Sequence, residues 1–147
     1  THPESNSYAS DVSFFKDKVD AGANSAITQY FYNPDAYFRF VDYCQAAGID
    51  IPIVPGIMPI TNYANLARFS ASCGAQIPRW LNKRLTGFGD DKEGLRHFGI
   101  DVVTELCEDL LQGGAPGLHF YSMNLSQAVT QIWTNLDLGN RPQRELL

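Results

Sequence analysis

The segment IDIPIVPGIMPITNY at residues 49–63 is the feature that most constrains the fold of this chain. Its first half alternates apolar residues in the manner of a buried strand, and the pattern breaks at Pro55 and Gly56 and again at Pro59. A helical pattern then opens at Thr61. The segment is therefore predicted to be a strand whose C-terminal end passes into a loop. In parallel α/β proteins, ligands bind at that end of the strands.

Helical and strand patterns alternate along the rest of the chain. The predicted helices span residues 11–21, 34–47, 62–72, 78–85, 92–112 and 126–136, and the predicted strands span residues 26–32, 51–54 and 117–123. Ser10 and Asn33 carry side chains that cap helices, so they are predicted to begin the first two. Strands separated by helical crossovers imply a parallel sheet. Because three strands neither close a barrel nor make a well-covered sheet, and the chain opens as a loop, we expect a missing N-terminal portion.

The composition argues against several classes of partner. The net charge is -5, from 16 acidic and 11 basic residues that form no runs, so no nucleic-acid partner is expected. No apolar run approaches the roughly 18 residues of a membrane span, and the first residues lack a signal-peptide pattern. We therefore expect a soluble, cytoplasmic protein with no membrane partner.

Cysteine and histidine spacing predicts neither a disulfide framework nor a metal site. The cysteines are far apart and form no CxxC pair, which fits a reducing compartment. All three are predicted to be buried thiols, namely Cys44, Cys73 and Cys107. The three histidines also lack the spacing of metal ligands. No phosphate-binding or hydrolytic motif is present, so the sequence offers no nucleophile of a known pattern.

Polar and aromatic residues in or after the predicted strands are the candidate ligand contacts. Gln29 lies in an otherwise apolar strand, and its amide offers donors and an acceptor that suit the edge of a heterocycle. A glutamine satisfied by neighbouring backbone is an equally good interpretation. His119 is more typical of a hydrogen-bonded core residue than of a ligand, and Tyr121 is expected to face the same side of its strand. Phe69 is either a core residue, which the pattern favours, or an aromatic lid over a planar ligand.

Four sequence blocks resemble one particular family. They are HPE near the start, KVDAGANSAITQYFYN, FRFVDYCQAAGIDIPIVPGIMPITNY and GAPGLHFYSMNLS. In order and spacing they look like the C-terminal half of methylenetetrahydrofolate reductases, which are flavoproteins with a parallel (β/α)8 TIM-type barrel. The resemblance extends from His2 to about Leu136 and implies that the predicted strands are the last three of that barrel. Residues 1–138 would then be the C-terminal part of a single barrel domain, and residues 139–147 a tail.

The resemblance implies an oxidoreductase of one-carbon metabolism, linked to methionine biosynthesis. Such enzymes reduce 5,10-methylenetetrahydrofolate to 5-methyltetrahydrofolate, and they are usually homo-oligomers. FAD first takes a hydride from NADH or NADPH and then passes it to the folate, so both substrates use one site in turn. The alternative is a non-catalytic module that keeps part of the barrel and binds a flavin, a pterin or a partner subunit.

The resemblance also implies roles for particular residues. The positions matching substrate contacts are Gln29 at the pterin and nicotinamide, Phe69 as the stacking aromatic, Asn65 one helical turn earlier, and Tyr121. The positions matching contacts to the adenine-nucleotide part of FAD are His2, Asp11 and Lys18. No catalytic residue is expected in this chain, because the family's general-acid glutamate lies on the first strand, upstream. The 147-residue chain alone is therefore expected to be inactive.

The chain departs from the family pattern at a few positions. Asn124 is followed by Leu125, where the family usually has an arginine that meets the glutamyl end of the folate. Phe14 and Asp17 replace polar and basic residues that often line the FAD diphosphate in bacterial members. These departures predict a weaker contact with the folate carboxylate and leave Lys18 as the cation expected at the diphosphate.

Overall fold

The computed structural model describes residues 7–140 as an α/β unit in which helices and strands alternate. In chain order the elements are α1 (Tyr8–Asp20), β1 (Ala26–Tyr30), α2 (Pro34–Ala46), β2 (Ile53–Ile57), α3 (Tyr63–Cys73), α4 (Arg79–Gly87), α5 (Lys92–Gln112), β3 (His119–Phe120) and α6 (Ser126–Asn135). All the predicted helices and strands are therefore present, with changed ends. His2 lies outside the described residues, as does the predicted tail from position 141 onward.

The three strands form one parallel sheet in the order β1-β2-β3. Ala26 of β1 is opposite Ile53 of β2, and Gly56 of β2 is opposite His119 of β3. The prediction of a parallel sheet is confirmed. Within residues 7–140, β1 and β3 are each paired along one side only, so the sheet has two open edges.

Strand β2 continues through Pro55 and Gly56, so the predicted break at these residues is wrong. A proline has no backbone N–H, and it is tolerated in a strand where the hydrogen-bond ladder is already irregular. The pairing of β1 with β2 is irregular between Ile27 and Tyr30. There the Gly56 N–H donates to the side-chain oxygen of Thr28 at 3.0 Å. The Thr28 side chain on the neighbouring strand thus accepts a hydrogen bond from the backbone N–H that follows the proline, and β2 continues past Pro55.

Two other predicted ends also differ from the structure. Helix α1 is capped by Ser7, whose side chain accepts a hydrogen bond from the Ser10 N–H at 3.1 Å, so the prediction of Ser10 as the cap is wrong. The prediction of Asn33 as the cap of α2 is confirmed by its bond from the Asp35 N–H at 3.1 Å. Strand β3 is far shorter than predicted, because the chain turns soon afterwards through Met123 and Asn124, which have positive φ angles of 51° and 60°.

The main core lies between the sheet and helices α2, α5 and α6. The Tyr37 hydroxyl of α2 donates to the Ile53 carbonyl at 2.8 Å, which joins that helix to the middle strand. Helix α5 contacts α2, α6 and β2. Its Gly99 lies so close to the Ile60 backbone that a Cβ atom there would collide with the Ile60 carbonyl oxygen. A glycine at this position is therefore required for close packing.

The cysteines are buried to different degrees. Cys44 and Cys107 are fully buried, as predicted, and burial raises the pKa of their thiols to about 11 and about 12. Cys73 is only partly buried, so the prediction that all three are buried is wrong there. Cys73 is the last residue of α3 and lines an open groove, which accounts for its partial exposure. No helix within residues 7–140 is long and apolar enough to cross a membrane.

Candidate functional site

An open groove of about 890 Å³ runs along the unpaired edge of β1. One wall comes from α1 and α2, and the other from the end of α3 and the residues after it. Its lining includes Tyr8, Asp11, Phe15, Ile27, Gln29 and Cys73. Aromatic rings, an amide and a carboxylate therefore share one concave surface, as is usual for sites that bind planar organic ligands.

Gln29 lies in this groove and is exposed. Its side-chain oxygen accepts a hydrogen bond from the Tyr30 N–H at 3.0 Å. Its amide nitrogen makes no hydrogen bond to the described part of the chain. The side-chain oxygen of Gln29 is thus satisfied by neighbouring backbone, which is one of the two interpretations that the sequence allowed. The two N–H donors of the same amide remain available to a ligand, as the other interpretation requires.

Tyr121 joins the C-terminal ends of the outer strands. Its hydroxyl donates to the Thr28 carbonyl of β1 at 3.0 Å, and its ring passes beside Gly56 in the middle strand. A Cβ atom on Gly56 would lie 2.7 Å from a ring carbon of Tyr121, so only glycine leaves room for this arrangement. The His119 ring lies edge-on to Tyr121, with centroids 4.9 Å apart, as expected for residues on one side of a strand. Tyr121 is therefore adjacent to Gln29, with its hydroxyl occupied by the backbone.

Helix α3 carries the other two predicted substrate residues. Asn65, Phe69 and Cys73 are spaced four residues apart and so form one stripe along the helix. The stripe ends at the groove, which Cys73 lines. The Arg68 guanidinium lies 5.5 Å from the centre of the Phe69 ring and donates to the Asn65 side-chain oxygen at 3.4 Å. Phe69 does not line the groove itself but lies one turn along the helix from it.

A buried hydroxyl pair connects β1 with α3, and reasoning from the sequence missed it. The Tyr30 and Ser70 hydroxyls are 3.0 Å apart. The Cys73 sulfur lies 3.6 Å from the Tyr30 oxygen, although the nearer acceptor for its proton is the Phe69 carbonyl at 3.0 Å. Burial raises the pKa of Tyr30 to about 12, against a smaller lowering by its bond to Ser70, so the hydroxyl stays protonated at neutral pH. The partners are 40 residues apart in the sequence, so no local pattern indicates the pair.

The predicted cofactor residues of α1 lie on one face of that helix. Asp11 lines the groove beside Tyr8 and Phe15. Lys18 follows seven residues later, which is close to two helical turns of about 3.6 residues each, and it is exposed. The third predicted residue, His2, is outside the described range. Within residues 7–140, no group of three or more His, Cys, Asp or Glu side chains could hold a metal ion.

Comparison with known proteins identifies the family. The profile of the family described as methylenetetrahydrofolate reductase matches residues 1–137. The Arabidopsis thaliana protein named methylenetetrahydrofolate reductase (NADH) 1 is 42% identical over 132 residues, which are 90% of this chain and 22% of that protein. The 5,10-methylenetetrahydrofolate reductase of Escherichia coli K12 is 38% identical over 141 residues, which are 96% of this chain and 47% of that protein.

A relative of the same name from Buchnera aphidicola is 40% identical over 131 residues, which are 89% of this chain and 45% of that protein. This chain thus spans about half the length of the bacterial relatives and about a fifth of the plant one. The matched positions include β1, α3 and β3, which carry the groove and the residues around it. The chain belongs to the methylenetetrahydrofolate reductase family.

Proposed function

We propose that this chain is the C-terminal part of the catalytic (β/α)8 barrel of an FAD-dependent methylenetetrahydrofolate reductase. The full polypeptide of that protein is called the intact enzyme below. One observation carries the proposal beyond family membership. The groove on the open edge of β1 brings Gln29, expected to bind substrate, together with Asp11, expected to bind FAD. The two residues are 18 positions apart. Gln29 is a candidate from its place in an apolar strand as well as from the family resemblance, whereas Asp11 is one from the resemblance alone.

The open edges of the sheet support the proposal that this chain is part of a larger barrel. Strand β1 pairs only with β2 among the described residues, and its Ile27 is 53% exposed on the same face as Gln29. Another parallel strand along the open edge would pair the backbone, and closure of the barrel would cover the face that carries Ile27. The E. coli relative has about as many residues outside the matched part as within it, since the match covers 47% of its length. A relative of that length has enough chain to supply the remaining strands.

The residues along α1 fit a flavin dinucleotide. Lys18 offers a point charge suited to a diphosphate, and Asp11 offers an acceptor on the same face of the helix. FAD, when bound, supplies the carrier that accepts and gives up a hydride. Asp11 and Lys18 would hold the adenine-nucleotide part of FAD, and the substrate residues of β1 and α3 would then face its reactive ring.

Residues of β1 and α3 bind the substrates in this proposal. The free N–H donors of Gln29 suit the acceptor atoms on the edge of a pterin or a nicotinamide carboxamide. Phe69 stacks on the ring of whichever substrate is present, and Asn65 contacts the folate further along the same helix stripe. The names of the Arabidopsis and maize relatives specify NADH, which supports NADH as the reductant here. These residues bind and orient both substrates, whereas the proton donor comes from elsewhere in the barrel.

Replacement of Gln29 tests the substrate site. In the intact enzyme, Gln29→Ala should raise the KM for the folate about 2- to 10-fold, because a net hydrogen bond is worth about 0.5–1.5 kcal/mol. Stopped-flow absorbance of the flavin separates its reduction by NADH from its reoxidation by the folate. The matched control is Gln131→Ala, which removes an exposed glutamine that bonds Asn135 on α6. Folate kinetics equal to those of the control would remove Gln29 from the site.

The flavin itself provides the test of reaction class. The purified intact enzyme should show a flavin absorbance spectrum that NADH bleaches and that methylenetetrahydrofolate restores. A protein that binds FAD or a folate in equilibrium dialysis, yet whose flavin neither NADH nor the folate alters, would instead be a non-catalytic binding module.

A further inference from the structure

The hydroxyl pair of Tyr30 and Ser70 is a main attachment of α3 to the sheet. Tyr30 is 4% exposed and Ser70 is 6% exposed, and their oxygens are 3.0 Å apart. Helix α3 has only two buried residues, Leu66 and Ser70. One of its two buried positions is therefore fixed by a directional hydrogen bond and the other by apolar packing alone.

Each partner of this bond is the sequence neighbour of a proposed substrate residue. Tyr30 follows Gln29 on β1, and Ser70 follows Phe69 on α3. On the far side of Gln29, the carbonyl of Thr28 accepts the bond from Tyr121. Strand β1 is thus fixed on both sides of Gln29, at the Thr28 carbonyl and at the Tyr30 side chain. The contact at Tyr30 is the one that joins β1 to α3.

We propose that Tyr30 and Ser70 are positioning residues, which set the distance between Gln29 and Phe69 that a planar substrate requires. The proposal rests on the proposed function, since it takes Gln29 and Phe69 as substrate contacts. A hydrogen bond fixes both distance and direction, whereas apolar packing lets a helix slide or turn. Loss of the bond lets α3 shift against β1, so that a ring stacked on Phe69 no longer meets the amide of Gln29.

The test is a double-mutant cycle in the intact enzyme, with Tyr30→Phe, Ser70→Ala and both together. We expect each single variant to raise the KM for the folate and for NADH about 3- to 10-fold, as the loss of one buried hydrogen bond predicts. The KM values of the double variant should be no higher than those of the more impaired single variant, because all three variants lack the same hydrogen bond. Bound FAD should remain near the native amount, because neither side chain is among the proposed FAD contacts.

Thr134→Val is the control. It removes an exposed helix hydroxyl that bonds the Thr130 carbonyl on α6 at 2.9 Å, and Thr134 does not line the groove. A role in stability alone would lower the melting temperature of the Tyr30 and Ser70 variants and leave their KM values equal to that of Thr134→Val. That result, or KM effects that simply multiply in the double variant, would overturn the proposal. If Ser70→Ala does not fold, Tyr30→Phe decides the matter, because it keeps the ring.

Gln29→Ala separates this proposal from the proposed function. If Gln29→Ala raises the folate KM while Tyr30→Phe does not, the substrate site stands and the positioning role is wrong. If neither variant changes the KM, the proposed substrate site is wrong as well.

Discussion

Position 125 is where a single residue most alters the proposed site. Leu125 is 61% exposed, just before α6 and beyond the end of β3. The family resemblance expects an arginine here, bound to the glutamyl carboxylate of the folate. An apolar side chain in water offers that carboxylate no partner. The folate is therefore held mainly at its pterin end in the proposed complex.

Leu125→Arg should strengthen folate binding in the intact enzyme. We expect its KM for the folate to fall about 2- to 5-fold, because an exposed ion pair is worth about 0.2–1 kcal/mol. The KM for NADH should not change, and added salt should reduce the gain. Met123→Arg is the control, since Met123 is also exposed, at 54%, and the variant adds the same charge nearby. An equal gain in both variants would indicate general charge attraction and no contact at position 125.

Single residues also show how far the sequence predicts the site. An amide in an apolar strand was enough to select Gln29, which does lie in the groove. The bond between Gln29 and the Tyr30 N–H depends on a side-chain torsion that no pattern of residue types specifies. The pairing of Tyr30 with Ser70 was equally hidden, because it requires the docking of a helix on a strand 40 residues away.

Among the elements, α5 depends most on one close approach. Gly99→Ala places a methyl group against the Ile60 carbonyl, so the helix must move away from the loop after β2. We expect the intact enzyme to lose about 1–3 kcal/mol of unfolding free energy through this overpacking. The loss should outweigh the gain of about 1 kcal/mol that alanine brings to a helix. Urea denaturation followed by circular dichroism measures the change.

Gly87→Ala provides the comparison for Gly99→Ala. Gly87 closes α4, and a Cβ atom there would have no neighbour within 4 Å among the described residues. This variant should be neutral or slightly more stable, because alanine lowers the entropy of the unfolded chain. Equal stability of the two variants would mean that α5 does not need the close contact.

Local chemistry predicted the helices better than the strands. The cap at Asn33 and the glycines after several helices are local signals, and those helices begin or end close to their predicted positions. The end of β2 was misplaced because Thr28, on another strand, supplies the acceptor that lets the strand pass Pro55. Strand ends depend on their partners in space, and a single sequence does not show these partners.

For the whole molecule, groups buried in their neutral form should make the fold sensitive to alkali. Burial raises the pKa of Cys44 from 9.0 to about 11, of Cys107 from 9.0 to about 12, and of Tyr37 from 10.0 to about 12. Well below pH 9 these groups are protonated in both states, so their contribution to stability is complete. As pH rises further, the unfolded chain releases protons that the folded chain keeps, and the unfolding free energy falls.

Urea denaturation at several pH values measures this loss in the intact enzyme. Each fully shifted group contributes a slope of up to about 1.4 kcal/mol per pH unit between its unfolded and folded pKa values. Cys107→Ala removes one such group, so its stability should fall less steeply above pH 9 than that of Cys73→Ala, which alters a partly buried thiol. Parallel curves for the two variants would show that Cys107 does not titrate with unfolding.

The larger barrel predicts that one substitution has opposite effects in two contexts. Ile27 is 53% exposed on one face of the edge strand β1, and the rest of the barrel should cover it. In the intact enzyme, Ile27→Lys should lower the unfolding free energy by roughly 3 kcal/mol or more, because an unpaired charge is then buried.

In the isolated 147-residue chain, Ile27→Lys should change the unfolding free energy by less than about 0.5 kcal/mol. It should also reduce self-association, since a lysine on an edge strand opposes strand pairing between copies. Thermal denaturation and light scattering measure the two effects. Trp133→Lys, at a site 51% exposed on α6, should be nearly neutral in the intact enzyme. If Ile27→Lys is equally neutral there, no strand covers this edge and the barrel proposal is wrong.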